Sequence, residues 1–161
     1  MSQDEVKKYF EIERKKHFDF FLPYYRDKNW LVVQDNINGN SPIDWDVKLE
    51  IFVGQYVLVD EKVRKGEFGD FLLELIQDLR TGKLGWFFGN KDWILYSSWK
   101  ELNNNYPDSL YLIKTKKLKE YIFSLNGFVQ TCISAKGWGI TWNIKLNWDK
   151  LIEKGIAEKL I

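Results

Sequence analysis

Residues 46 to 62 constrain this chain more than any other stretch. Two strand-like runs, Asp46 to Val53 and Gln55 to Lys62, meet at Gly54, the pattern of two strands joined by a tight hairpin turn. Alternate side chains of a strand share a face. Asp60 and Lys62 therefore point together and Glu61 points away, while Asp44 and Asp46 share a face on the strand before. Pairing about Gly54 brings Asp46 and Asp60 onto adjacent strands, within reach of one ion. An Asp and a Lys at the end of an apolar strand are poor core residues, and a divalent cation would account for them.

The other elements follow from periodicity. Residues 3 to 20 read as a helix, with Val6, Phe10, Glu13, His17 and Phe20 at helical spacing, ended by Pro23. Trp30 to Gln34 reads as a strand and residues 36 to 42 as a loop. The run Phe71 to Ile76 fits a buried strand or a helix segment equally. Trp93 to Trp99 and Leu110 to Ile113 read as strands. Thr115 is placed to cap a helix reaching about Leu125. Two late strands, Phe128 to Ser134 and Ile140 to Leu146, precede a closing helix from Trp148 to Leu160. With no repeat or linker, the 161 residues read as one α/β (α+β) domain, a mixed sheet with flanking helices.

Composition removes several chemistries. The chain has one histidine, His17, and one cysteine, Cys132, so neither a histidine-metal nuclease site nor a structural zinc site can be built. No glycine cluster matches a phosphate-binding loop or a dinucleotide fingerprint. A single cysteine fits a reducing compartment, and no apolar run approaches a membrane span. The expected setting is cytoplasmic, with no membrane partner. A formal net charge of +1 gives no global attraction to nucleic acid. Local basic clusters at Arg14 to Lys16, Lys62 to Lys65 and Lys114 to Lys119 each read equally as a solvated face. The eight tryptophans read mainly as core and sheet-face residues, with a minority free to stack on bases.

Two carboxylates, Asp46 and Asp60, can hold a hard cation such as Mg²⁺ or Mn²⁺, with the main-chain carbonyl of Glu61 as a third ligand. Lys62 beside them can orient a water or steady a phosphoryl transition state. This arrangement, an aspartate, a hairpin, then Asp60-Glu61-Lys62, resembles the signature of the PD-(D/E)XK nucleases, the superfamily of restriction endonucleases, Holliday junction resolvases and many phage enzymes. Thirteen residues separate Asp46 from Asp60, a spacing that suits it. Glu13-Arg14 on the first helix is similar to the Glu-Arg pair of archaeal-type junction resolvases, whose glutamate joins the metal site. The resemblance covers roughly residues 6 to 80. It departs from the family pattern at Pro42, which Ile43 follows, so Asp44 and Asp46 are both eligible; Asp46 is preferred because it opens the apolar strand.

The resemblance implies a restriction endonuclease-like fold and a Mg²⁺-dependent endonuclease acting on DNA, with branched substrates among the candidates. It places Arg14, Arg64 and Lys65 against nucleic acid, and a homodimer would supply the two sites needed to cut both strands. Blander readings stand beside it. Asp60 and Lys62 can be an ion pair at a hairpin end, Asp46 a strand-start turn residue, and Glu13 a helix partner of His17 at i,i+4. Glu74 reads as a helper to the site or as a solvent-facing residue. The alternative functions are a catalytically silent nuclease-fold module that binds nucleic acid or protein, and a tryptophan-rich β module that binds carbohydrate.

Overall fold

The computed structural model describes residues 3–37, 45–66, 69–125, 130–136 and 139–161. Helix α1 (Gln3–Lys16) runs into a π-helical turn (His17–Phe21) and then α2 (Leu22–Asp27). Pro23 does not end the helix, contrary to the sequence expectation. The wider turn closes by a bond from the Leu22 N–H to the His17 carbonyl, and Pro23 falls in the first turn of α2, where its missing N–H needs no partner. The helical stretch ends instead at Asn29, in left-handed geometry, with the Trp30 N–H bonded to the Tyr25 carbonyl at 2.9 Å. Phe10, expected to face inward, is 63% exposed. Among the described side chains, the burial of α1 and the π-turn falls at Lys16, His17, Phe20 and Phe21. The side chain of Val6 lies outside the described residues.

The hairpin forms as its pattern requires. Strands β2 (Val47–Phe52) and β3 (Gln55–Lys65) pair antiparallel, with Val47 opposite Val59 and Leu49 opposite Val57. Gly54 takes a φ of 76° in the turn, conformational territory that glycine enters without strain. On one side β2 pairs with β1 (Leu31–Asp35). On the other, β3 pairs parallel with β6 (Trp93–Trp99), which pairs antiparallel with β7 (Ser109–Lys114), and β7 takes β10 (Ala157–Lys159) as edge strand. The sheet is mixed and six-stranded, in the order β1-β2-β3-β6-β7-β10.

A parallel pair needs a long crossover, and here the crossover supplies two strands of a second sheet. The undecided run at 71–76 is strand β4 (Asp70–Asp78), which joins β5 (Lys83–Leu84), β8 (Gln130–Lys136) and β9 (Gly139–Asn147) in an antiparallel sheet of order β5-β4-β9-β8. The single sheet flanked by helices is therefore corrected to two sheets. One face of the large sheet is covered by Phe20, Phe21 and Tyr25, packed on Val47, Leu49, Val57, Val59, Val63 and Trp99. Its other face packs Ile94, Tyr96 and Ile113 on Phe71, Leu73 and Ile144 of the second sheet, together with α3 (Thr115–Ser124) and α4 (Trp148–Glu153).

Two smaller expectations are also corrected. Thr115 does not cap α3; its hydroxyl donates to the main-chain carbonyls of Lys91 and Asp92. The closing helix stops at Glu153 instead of Leu160, because the chain after it is drawn onto the open edge of β7, where Glu158 lies opposite Leu112. The front of the expected strand at Phe128 lies outside the described residues.

Candidate active site

Strand β3 is the spine of the site. Its odd residues Val57, Val59, Glu61 and Val63 face the helices, and its even residues face the second sheet. Beyond Val59, β2 has ended and β6 continues at the other side, so among the described residues no strand pairs with that edge of β3 next to Asp60, Glu61 and Lys62.

Asp46 fills the first step of that edge. Its N–H donates to the Val59 carbonyl at 2.9 Å and its Oδ2 accepts the Glu61 N–H at 2.6 Å. In a strand the N–H and C=O of a residue point to the same edge, so the Glu61 carbonyl is directed to the Asp46 side. Burial, and then the neighbouring charge of Asp60, push the Asp46 carboxyl up to about 8. The nearby Lys62 ammonium opposes this push without cancelling it. Asp44 lies outside the described residues.

Asp60 is 4% exposed and takes two ammonium groups: Lys62 Nζ on Oδ1 at 2.8 Å and Lys91 Nζ on Oδ2 at 2.5 Å. Burial disfavours its charge, but the two lysines outweigh burial and hold it below the usual carboxylate range. Burial likewise works against the Lys62 charge, and Asp60, Asp46 and Glu13 outweigh it, raising Lys62 above the usual lysine range. The indole of Trp86 lies beneath both ammonium groups, its ring centre 5.6 Å from Lys62 Nζ and 5.5 Å from Lys91 Nζ.

The Glu61 side chain faces away from this cluster, as alternation requires, into a separate network. Its Oε2 meets His17 Nδ1 at 2.8 Å and its Oε1 accepts from the Tyr25 hydroxyl at 2.7 Å, while His17 Nε2 meets Asp35 Oδ2 at 3.0 Å. Burial opposes the His17 charge, yet the two carboxylates prevail and raise its pKa to about 9. Both ring nitrogens are thus engaged, and His17 is not the helix partner of Glu13. Glu13 is half-buried, and its charge acts on Lys62.

Of the proposed nucleic-acid contacts, Arg14 and Lys65 are exposed. Arg64 is engaged within the chain, its guanidinium donating to the carbonyl and carboxylate of Asp70 at 2.9 and 3.0 Å. Glu74, on β4, is half-buried. Trp99 and Trp148 are buried, and Trp142 is 36% exposed.

The sequence did not single out Lys91 or Trp86. Both lie in the crossover between β3 and β6, and no local periodicity marks them. The parallel pairing of β3 with β6, Asp60 opposite Ile94, and the bonds of Asp92 to Leu58 bring that crossover to the site. Among the described residues, no three His, Cys, Asp or Glu side chains gather as a metal-binding group. The carboxylates of Asp46 and Asp60 act on each other through their charges, and with the Glu61 carbonyl they are the oxygen donors that would suit Mg²⁺ or Mn²⁺ with water completing the shell. No protein-family model, curated protein or solved structure matches the chain.

Proposed function

We propose that this chain is a divalent-metal-dependent nuclease that hydrolyses phosphodiester bonds in DNA. The observation that carries the reading is the pair Asp46–Asp60 at the edge of β3. Asp46 is pushed up to about 8 by burial and by Asp60, and the Lys62 ammonium donates to Asp60 Oδ1. Asp46, Asp60 and the Glu61 carbonyl would hold Mg²⁺ or Mn²⁺. When bound, the ion supplies charge neutralisation at the phosphate and a lowered pKa for water.

The chain's own residues do the rest. Lys62 holds the attacking water or a phosphate oxygen with its ammonium protons. Asp60 and Asp46, and after them Glu13 in the last turn of α1, favour the charged form of Lys62. Arg14 and Lys65 steady the nucleic-acid backbone, while Arg64 fixes the end of β3 to Asp70. Two copies in a two-fold dimer would place one such edge on each DNA strand.

The test is cleavage of branched, single-stranded and duplex DNA with Mg²⁺ or Mn²⁺. At least one substrate should be cut, EDTA should stop it, and Lys62→Ala should lose turnover while still binding metal. Failure to cut any of them overturns the reading. One observation favours a second reading, a nuclease-fold module that binds DNA without turnover: Lys91 already holds Asp60 Oδ2. That module would bind DNA equally with metal or with EDTA and leave it intact.

A further inference from the structure

We propose that Lys91 is a built-in stand-in for the cation, an ammonium that occupies Asp60 and must give way before a divalent metal binds there. The inference rests on the metal-site reading above and adds a control on metal loading.

Lys91 is not a chance surface contact. Its side chain is 2% exposed and its Nζ lies 2.5 Å from Asp60 Oδ2. The main chain that carries it is fixed on two sides. The Thr115 hydroxyl donates to the carbonyls of Lys91 and Asp92, and the Thr115 N–H donates to the Asp92 carbonyl at 3.0 Å. Asp92 in turn clasps β3, giving its N–H to the Leu58 carbonyl at 2.9 Å and accepting the Leu58 N–H on Oδ2 at 2.8 Å.

Burying an ammonium is costly unless it has a partner, and Asp60 already has one in Lys62. One lysine would balance Asp60 by itself, so Lys91 is a second buried cation on the same carboxylate, with Asp46 as its further counter-charge. Two ammonium groups bring to Asp60 the charge that one divalent ion would bring. With Asp46 alongside, the site already contains the positive charge its carboxylates attract. A dication approaching Asp60 is repelled by Lys91 at contact range, so the two compete for one oxygen. The Trp86 ring, 5.5 Å from Nζ, gives the displaced ammonium a neighbour that tolerates its charge.

A purely structural Lys91 behaves in the opposite manner. If it only orients Asp60, its removal lets the carboxylate wander and weakens metal binding, as losses of supporting groups around metal ligands do.

The experiment is Mn²⁺ titration calorimetry on the full chain, comparing wild type with Lys91→Met and Lys91→Arg, with folding checked by near-UV circular dichroism. Lys91→Met, which keeps length without charge, should bind Mn²⁺ at least about tenfold more tightly than wild type, and Lys91→Arg no more tightly than wild type. Unchanged, weaker or absent Mn²⁺ binding in a folded Lys91→Met overturns the proposal.

If that variant does not fold, nitrogen-resolved NMR of lysine ammonium groups in the wild type decides. The Lys91 signal, identified by its loss in Lys91→Arg, should shift and exchange faster when excess Mg²⁺ is added; an unmoved signal overturns the proposal. DNA cleavage separates this from the nuclease reading. Tighter Mn²⁺ binding in Lys91→Met, with no cleavage by wild type, keeps the stand-in and removes the nuclease. Cleavage by wild type, with unchanged Mn²⁺ affinity in Lys91→Met, does the reverse.

Discussion

At neutral pH one carboxylate of the site tends to hold a proton that its neighbour lacks. Burial and Asp60 push Asp46 up to about 8 from an ordinary 3.8, while Lys62 and Lys91 hold Asp60 low against burial. The folded chain therefore binds more protons at Asp46 than the unfolded chain does between about pH 4 and pH 8. The contribution of Asp46 to stability is full below the lower limit and is lost as pH rises through the upper one. Asp46→Asn, which cannot titrate, should flatten the fall of melting temperature across that window; an unaltered slope would place the carboxyl in its ordinary range. His17, raised to about 9, adds a similar loss at higher pH, fully present below about 6.5 and gone above 9, and it remains in the variant. That Asp46, Asp60 and Lys62 lie near one another was legible in the sequence because a period of two is a local property and their strands are joined by a short turn. Lys91 was not, since it lies 31 positions after Asp60 and nothing between them has a readable period.

The elements were legible where the local signals agreed and misread where they competed. The β2–β3 hairpin had alternation and a glycine turn in agreement. At Pro23 the rule that proline stops a helix met a π-turn able to absorb it. The buried bonds of His17 to Glu61 and of Tyr25 to Glu61 hold helical structure on both sides of that turn against β3. Thr115 carried a capping residue's identity in a place where its hydroxyl serves another segment. Gly85 gives an element-level prediction. It follows β5, and a Cβ there would lie 2.3 Å from the Glu74 carbonyl oxygen and 2.8 Å from the Leu75 carbonyl carbon, both backbone of β4 and unable to step aside. Gly85→Ala should force the two strands apart and move Trp86, the next residue, from beneath Lys62 and Lys91. Gly54→Ala meets no atoms and pays only for its φ of 76°, about 1 kcal/mol. Urea unfolding should therefore show the larger loss at Gly85, about 3 kcal/mol. Equal losses would mean that β5 is not seated on β4 as described.

On the scale of the whole molecule, the mixed sheet was expected and the second sheet was not. Its pairings are distant, Phe71 with Leu146 and Leu73 with Ile144, and the run at 71–76 fits strand and helix alike until that partner is known. Among the described residues no helix is long and apolar enough to cross a membrane. If the carboxylate pair binds metal only in the folded chain, Mn²⁺ at a hundredfold excess over its dissociation constant should add about 2.7 kcal/mol. For a chain of this length that is roughly 5–10 °C in melting temperature, reversed by EDTA; an unmoved melting curve would mean that the pair holds no ion. The spans of the contacts also set an order of assembly. Asp46 reaches Glu61 across 15 residues, Lys91 reaches Asp60 across 31, and Thr115 fixes Lys91 from 24 residues further on. Closing a longer loop costs more entropy, and a chain leaving the ribosome offers its early segments first. The hairpin with both carboxylates and Lys62 is therefore synthesised, and can pair, while Lys91 and its clamp are still being made. For that interval the two aspartates face the dissolved ions of their surroundings with one internal lysine between them instead of two.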